Sequence, residues 1–157
     1  MKTAFIGHRN LLPSDIAQRL KLAIRQEIAL GCQSFIMGTH GDFDRATLSV
    51  CRGMQKIYPN LKIEVVINSL APRQSAAIYP QAVGVTTVMY EIENLHYKQR
   101  ITTSNQQMID DCDTLICYVR PKRWRSGADR VRQYAIKKGL KIINLYLSAD
   151  DEKTITD

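Results

Sequence analysis

Short apolar runs alternate with longer segments of helical periodicity along this chain, and that alternation admits few folds. Thr3 to Ile6, Ser34 to Met37, Leu61 to Ile67, Val85 to Met89, Thr114 to Val119 and Lys141 to Leu147 are each brief and apolar or β-branched, as buried strands are. A helix opens at Pro13-Ser14-Asp15, carries Ile16, Leu20, Ala23, Ile24 and Ile28 on one face, and stops at Gly31. A second spans about Asp44 to Ile57 and meets Tyr58-Pro59-Asn60. A third runs around Asn105 to Asp111, and a fourth opens at Ser126 and stops at Lys138-Gly139. The segment 68–95 is less regular, broken by Pro72, Pro80 and Gly84. Strands alternating with amphipathic helices predict an α/β fold: a three-layer, Rossmann-like, doubly wound, mainly parallel sheet.

That architecture has a functional consequence. Right-handed crossovers make parallel strands point one way, so every strand-to-helix loop lies on one rim. Gly7-His8-Arg9, Gly38 to Asp42, and Arg120 to Gly127 each follow a strand directly. The last is the most pointed, because Arg120, Lys122, Arg123, Trp124 and Arg125 lead into a helix that opens at Ser126-Gly127-Ala128. A helix N-terminus with unpaired N–H groups and a guanidinium cluster behind it favours an anion, most naturally phosphate. Three distant segments are therefore expected to form one pocket mouth.

At 157 residues the chain fits one domain, here 1–148, followed by an acidic polar tail, 149–157. No apolar run approaches the roughly 20 residues needed to cross a bilayer, and residues 1–9 lack the features of a secretory signal. Cys32, Cys51, Cys112 and Cys117 contain no Cys-x-x-Cys pair and suit reduced thiols in a cytoplasmic protein. The net charge of +7 favours anionic partners, which a phosphate site plus a solvated helix face explains as well as a nucleic-acid groove.

Each candidate residue has a plainer reading beside the functional one. Gly7 lets backbone approach a ligand; His8 and Arg9 then contact phosphate or a base, or are a packed histidine and a solvated charge. Gly38, Thr39 and Gly41 offer backbone N–H groups. Asp42 and Asp44 suit ribose hydroxyls, although Asp42, placed just before the helix, equally suits a cap. Asn105, near a helix start, either bonds a base edge or caps, and Thr102, Thr103 and Ser104 more often cap than bind. Ser126 and Asp129 have capping-box spacing. Trp124 stacks on a base or holds a guanidinium. Zinc spacing is absent around His8, His40 and His96, as are a Gly-x-Ser-x-Gly elbow and a Walker lysine. Cys117, inside a strand, is a poor nucleophile.

These segments together resemble the SLOG superfamily, the Rossmann-like group containing DNA-processing protein A and the lonely-guy phosphoribohydrolases, and are most similar to its uncharacterised YpsA-like branch of bacteria and phages. Phe5-Ile6-Gly7-His8-Arg9 matches its Gly-His-Arg opening. Gly38-Thr39-His40-Gly41-Asp42-Phe43-Asp44 resembles its Gly-x-x-Gly-x-Phe-Asp element. Tyr58-Pro59, Tyr79-Pro80, Asn105 with Met108, and Cys112-Asp113 fall where it has similar pairs. Ser126-Gly127-Ala128 takes the place of its phosphate-binding Gly-Gly turn. The resemblance implies a nucleotide-like ligand at Gly7, His8, Arg9, Gly38, Thr39, Gly41, Asp42, Asp44, Asn105, Arg120, Ser126, Gly127 and Ala128, and it allows a homodimer. The chain departs from the hydrolases: Ser104-Asn105 replaces Arg-Asn, and Ser126-Gly127-Ala128-Asp129-Arg130-Val131 replaces Gly-Gly-x-Gly-Thr-x-x-Glu.

The leading expectation is a protein that binds or senses a nucleotide-derived ligand, with no catalytic residue, metal or further cofactor assigned. The alternative is an N-glycosidic hydrolase of nucleoside monophosphates, drawing its carboxylate from Asp42, Asp44, Glu91 or Asp129. A third is a single-stranded-DNA-binding module using the net charge and Trp124.

Overall fold

The computed structural model describes residues 1–39, 41–67, 84–89, 97–120 and 126–147. They form β1 (Lys2–Gly7), α1 (Ile16–Ala29), β2 (Ser34–Met37), α2 (Asp42–Ile57), β3 (Lys62–Ile67), β4 (Val85–Met89), α3 (Tyr97–Asp110), β5 (Thr114–Tyr118), α4 (Gly127–Lys137) and β6 (Lys141–Asn144). The strands build one sheet in the order β4-β3-β2-β1-β5-β6, and every pairing is parallel. The expected doubly wound α/β fold is present, with a sheet that is parallel throughout.

Side chains alternate along the strands and sort into two cores. Phe5, Phe35, Met37, Ile63, Val65 and Ile116 face the layer formed by α1 and α2. Ala4, Ile6, Ile36, Val66, Leu115 and Cys117 face α3 and α4. Both faces are covered, so the central strands are apolar almost continuously, as buried parallel strands must be. The Phe5 and Phe35 rings, from neighbouring strands, lie 5.9 Å apart.

The helix ends follow local chemistry. Past α1 the chain turns at Gly31, φ 99°, where Cys32 N–H donates to the Glu27 carbonyl and Gly31 N–H to that of Ile28. This is a Schellman closure, and its left-handed residue favours glycine. The same hydrogen-bond pattern closes α4 through Gly139 and Leu140. Asp15 stands before α1 without capping it; its carboxylate instead accepts from Arg19 Nε at 3.0 Å. Helix α3 is much longer than its sequence suggests, beginning at Tyr97 instead of near Asn105. The threonines and serine at 102–104 had masked it as capping residues, yet they lie inside the helix, and Ser104 is fully buried. The irregularity expected across 68–95, with Pro72 and Pro80, falls largely outside the described residues, as does the tail.

One buried charge ties the layers together. Glu27, on the sheet-facing stripe of α1, is completely enclosed. Its carboxylate accepts from Lys141 Nζ at 2.6 Å and from Thr114 Oγ1 at 3.3 Å, joining α1 to the first residues of β5 and β6. Removing one partner of an enclosed pair strands a charge. Because Lys141 is half exposed, the cost is reduced: Lys141→Met is expected to lower unfolding free energy by about 1–3 kcal/mol, read from urea denaturation. Adding Glu27→Gln to it should recover part of that loss.

Candidate functional site

The sheet order reverses between β1 and β5. From β1 the chain winds outward through α1 to β2, whereas from β5 it winds the other way through α4 to β6. The crossovers leave on opposite faces, so the carboxyl end of β1 opens beside that of β5, the usual place for a ligand in such sheets. A cleft of about 400 Å³ lies there. Its described lining comes from four parts of the chain: Ile6 to Asn10 at and beyond the end of β1, Gly38 and Asp44 around the β2–α2 turn, Ile101 and Asn105 on α3, and Ser126 to Ala128 opening α4.

Close backbone approach holds these parts together. A Cβ on Gly7 would overlap the Phe43 ring, so the absent side chain lets the first turn of α2 seat against the end of β1. At Gly41, φ is 110° and a Cβ would fall 2.7 Å from Arg9 Cα. The Asp42 N–H donates to the Arg9 carbonyl at 2.8 Å, stitching the β1 and β2 loops. On the other side, His8 N–H donates to the Tyr118 carbonyl at 3.3 Å, and Arg120 N–H donates to His8 Nε2 at 3.0 Å. His8 is therefore nearly enclosed and joins the two loops at the switch point while edging the cleft. The exit of β5 is fixed by Asn144, whose side chain accepts from Val119 N–H at 3.1 Å and donates to the Val119 carbonyl at 3.0 Å.

Nine expected residues line the cleft: Gly7, His8, Arg9, Gly38, Asp44, Asn105, Ser126, Gly127 and Ala128. Four do not. Thr39 turns inward, its hydroxyl donating to the Val66 carbonyl at 3.3 Å. Gly41 is the residue preceding α2 and serves the Arg9 contact. Asp42 is the first residue of α2 instead of its cap, and its carboxylate accepts from Arg45 at 2.6 Å on the surface. Arg120 sends its guanidinium to the Leu11 carbonyl, bracing the β1–α1 loop, where Leu11 holds a φ of 60°.

Two further expectations change. Asn105 lies in the middle of α3 and caps nothing; it faces the cleft one turn after Ile101. Ser126 does cap α4, its Oγ accepting from Asp129 N–H at 3.1 Å, but Asp129 does not complete the box. Its carboxylate binds Arg132 at 2.8 and 3.1 Å, which neutralises the acid that would oppose an anion at the helix start. Ile6, Asn10 and Ile101 were not anticipated. Ile101 was hidden by the misplaced start of α3, since residues four apart share a helix face. His40, Glu91, His96, the Tyr79-Pro80 pair and the cationic 121–125 segment with Trp124 lie outside the described residues.

The cleft is bipolar. The opening N–H groups of α4, at Gly127 and Ala128, have no acceptor within the helix and sit at its positive end. Across from them Asp44 stands in the first turn of α2, where an acid is favoured by the helix field; a Cβ on Gly38 would lie 3.0 Å from its Oδ2. Arg9 and Asn10 are exposed at the mouth. This arrangement offers donors for an anion, an acid for hydroxyls and an amide for a polar ring edge. It contains no thiol: Cys51, Cys112 and Cys117 are buried elsewhere, and burial pushes each up to about 12. No cluster of His, Cys, Asp or Glu among the described residues could hold a metal, and no helix among them is long and apolar enough to cross a membrane.

No protein-family model matches the chain, and no curated protein is significantly similar to it.

Gly7→Ala is expected to destabilise the protein by about 1–3 kcal/mol, as overpacking does, and to disturb Phe43, both visible in thermal melts and in aromatic NMR shifts. The three thiols give a pH test. Buried as neutral groups, they favour folding below the ordinary value of 9.0, and that contribution falls as pH rises towards 12. At pH 8 the native protein should leave these three thiols unmodified by a thiol reagent, whereas urea-unfolded protein should react at all four.

Proposed function

We propose that this protein binds or senses a nucleotide-derived small molecule, in the manner of the SLOG superfamily that its sequence resembles, with the ligand seated where β1 and β5 diverge. One observation carries the reading: a single cleft gathers a helix N-terminus, Arg9, Asp44 and Asn105. Phosphate suits the N–H groups of Gly127 and Ala128, ribose hydroxyls suit Asp44, and a base edge suits Asn105 or Asn10. The volume of about 400 Å³ falls within the usual range for small-molecule sites. Mixed charge favours such a ligand over a nucleic-acid strand, whose successive phosphates would meet Asp44. The cysteines, none in a disulfide, agree with the cytoplasmic setting this role assumes.

The same acid supports the second reading, N-glycosidic hydrolysis. Of the carboxylates considered, Asp44 lines the cleft, whereas Asp42 and Asp129 are paired with Arg45 and Arg132 outside it. A catalytic carboxylate there would act with no described partner acid beside it, which ranks the reading below binding.

Thermal melts with nucleoside monophosphates, ADP-ribose, NAD and cyclic oligonucleotides test the proposal. A ligand at 100 times its dissociation constant adds about 2.7 kcal/mol, a rise of about 5–10 °C in a domain of this size. Arg9→Ala and Asn105→Ala should each reduce that rise. No shift from any of these compounds at millimolar concentration would defeat the binding role. Release of free base from a nucleoside monophosphate, abolished by Asp44→Asn, would select hydrolysis instead.

A further inference from the structure

The layer formed by α1 and α2 has features that neither the fold nor the cleft uses. Between these helices runs a trough of about 280 Å³ lined by Ala17, Gln18, Lys21, Val50, Met54 and Ile57, with Gly53 at its edge. Gly53 also lines a second hollow beside Arg52 and Lys56. Ile57 is 56% exposed, so an apolar wall is left uncovered.

Cations stand on both helices: Lys21 lines the trough, and Arg52 and Lys56 line the second hollow. Lys21 and Arg25 are one turn apart on α1, and Arg52 and Lys56 one turn apart on α2; all four are exposed. None forms an ion pair with any described residue, although Asp42, Asp110, Asp113, Asp129, Glu27 and Glu64 all do. Much of the net charge of +7 is thus concentrated beside an apolar groove, without a partner among the described residues.

Gly53 adds an independent observation. Glycine inside a helix is less favourable than alanine. Internal packing does not require it here, because a Cβ at Gly53 would meet nothing within 4 Å. Its effect is on the outside, where it leaves open the surface that both hollows share.

We propose that the α1–α2 trough docks a short amphipathic helix from an acidic protein partner, whose apolar residues enter between the helices while its carboxylates meet Lys21, Arg25, Arg52 and Lys56. Helix-in-groove recognition has this form: apolar anchors at helical spacing in a hydrophobic groove, with opposite charge guiding encounter. A second copy of the chain fits poorly, since a two-fold contact on this face would set the same cations against each other. No aromatic side chain lines the described trough, so a nucleic-acid base finds nothing to stack on. A flat lipid surface does not enter a concavity. The inference stands apart from the ligand cleft.

Fluorescence anisotropy on the whole chain tests it, using a labelled synthetic peptide with Glu and Leu at amphipathic helical spacing. An equally charged peptide with Leu replaced by Gln, a single-stranded oligonucleotide and phosphatidylserine vesicles complete the set. The Glu–Leu peptide should bind at least about tenfold more tightly than the other three, a tenfold ratio corresponding to about 1.4 kcal/mol. Arg52→Glu with Lys56→Glu should weaken it by about tenfold or more, whereas the same charge change at Arg130 and Lys137 on α4 should not. Gly53→Leu should keep or raise the melting temperature yet lose binding, which separates docking from folding; Gly53→Ala provides a milder version of the same test. Absence of peptide binding, tighter binding of the oligonucleotide or the vesicles, undiminished binding by Gly53→Leu, or self-association through this face would each overturn the proposal.

Discussion

Strand β1 is hydrogen-bonded along both edges, to β2 on one side and β5 on the other, and the rest of the molecule is arranged around that double commitment. From β1 the chain winds towards β2 and from β5 the opposite way towards β6, and a right-handed hand sends those two crossovers to opposite faces. No helix can then cover the carboxyl end of β1. The cleft is a by-product of the winding reversing between β1 and β5, which is why its position follows from topology before any side chain is considered.

What side chains add is the distance of approach. The first turn of α2 reaches the cleft because Gly7 leaves room for the Phe43 ring and Gly41 accepts a backbone angle that brings it onto Arg9. Hydrogen bonds from Asp42 to Arg9 and from Arg120 to His8 then fix the loops laterally. Several residues with the look of ligand contacts therefore serve the frame: Thr39 against β3, Arg120 against Leu11, Asp42 against Arg45. A loop that must present a few groups accurately needs others to hold its backbone still. The polar residues of a glycine-rich loop are divided between those two tasks.

Charge is divided too. Around the cleft, Asp129 near the anion-favouring helix start is paired with Arg132, and Asp44 stands across the opening. On the α1–α2 layer the opposite holds, with four exposed cations that pair with no acid among the described residues. A positive protein in this arrangement does not present one uniform basic surface. It presents a mixed-charge pocket suited to a compact ligand and, elsewhere, a basic trough.

The strands and the parallel α/β class were legible in the sequence because buried strands are short continuous apolar runs, and β2 and β4 match their expected limits. Helix α3 was not, since Thr102, Thr103 and Ser104 have weak helix propensity and become helical through packing of Met108 and Ile109 beneath them. With it went the true setting of Asn105 and the presence of Ile101 in the cleft. Residue order is enough to say which residue types stand after each strand, and so which loops could carry a site. Tertiary structure alone decided which side chains face the opening and which brace it. A hydroxyl or guanidinium takes whatever carbonyl the fold brings within reach, and for Thr39 and Arg120 those carbonyls, Val66 and Leu11, come from segments 27 and 109 residues away.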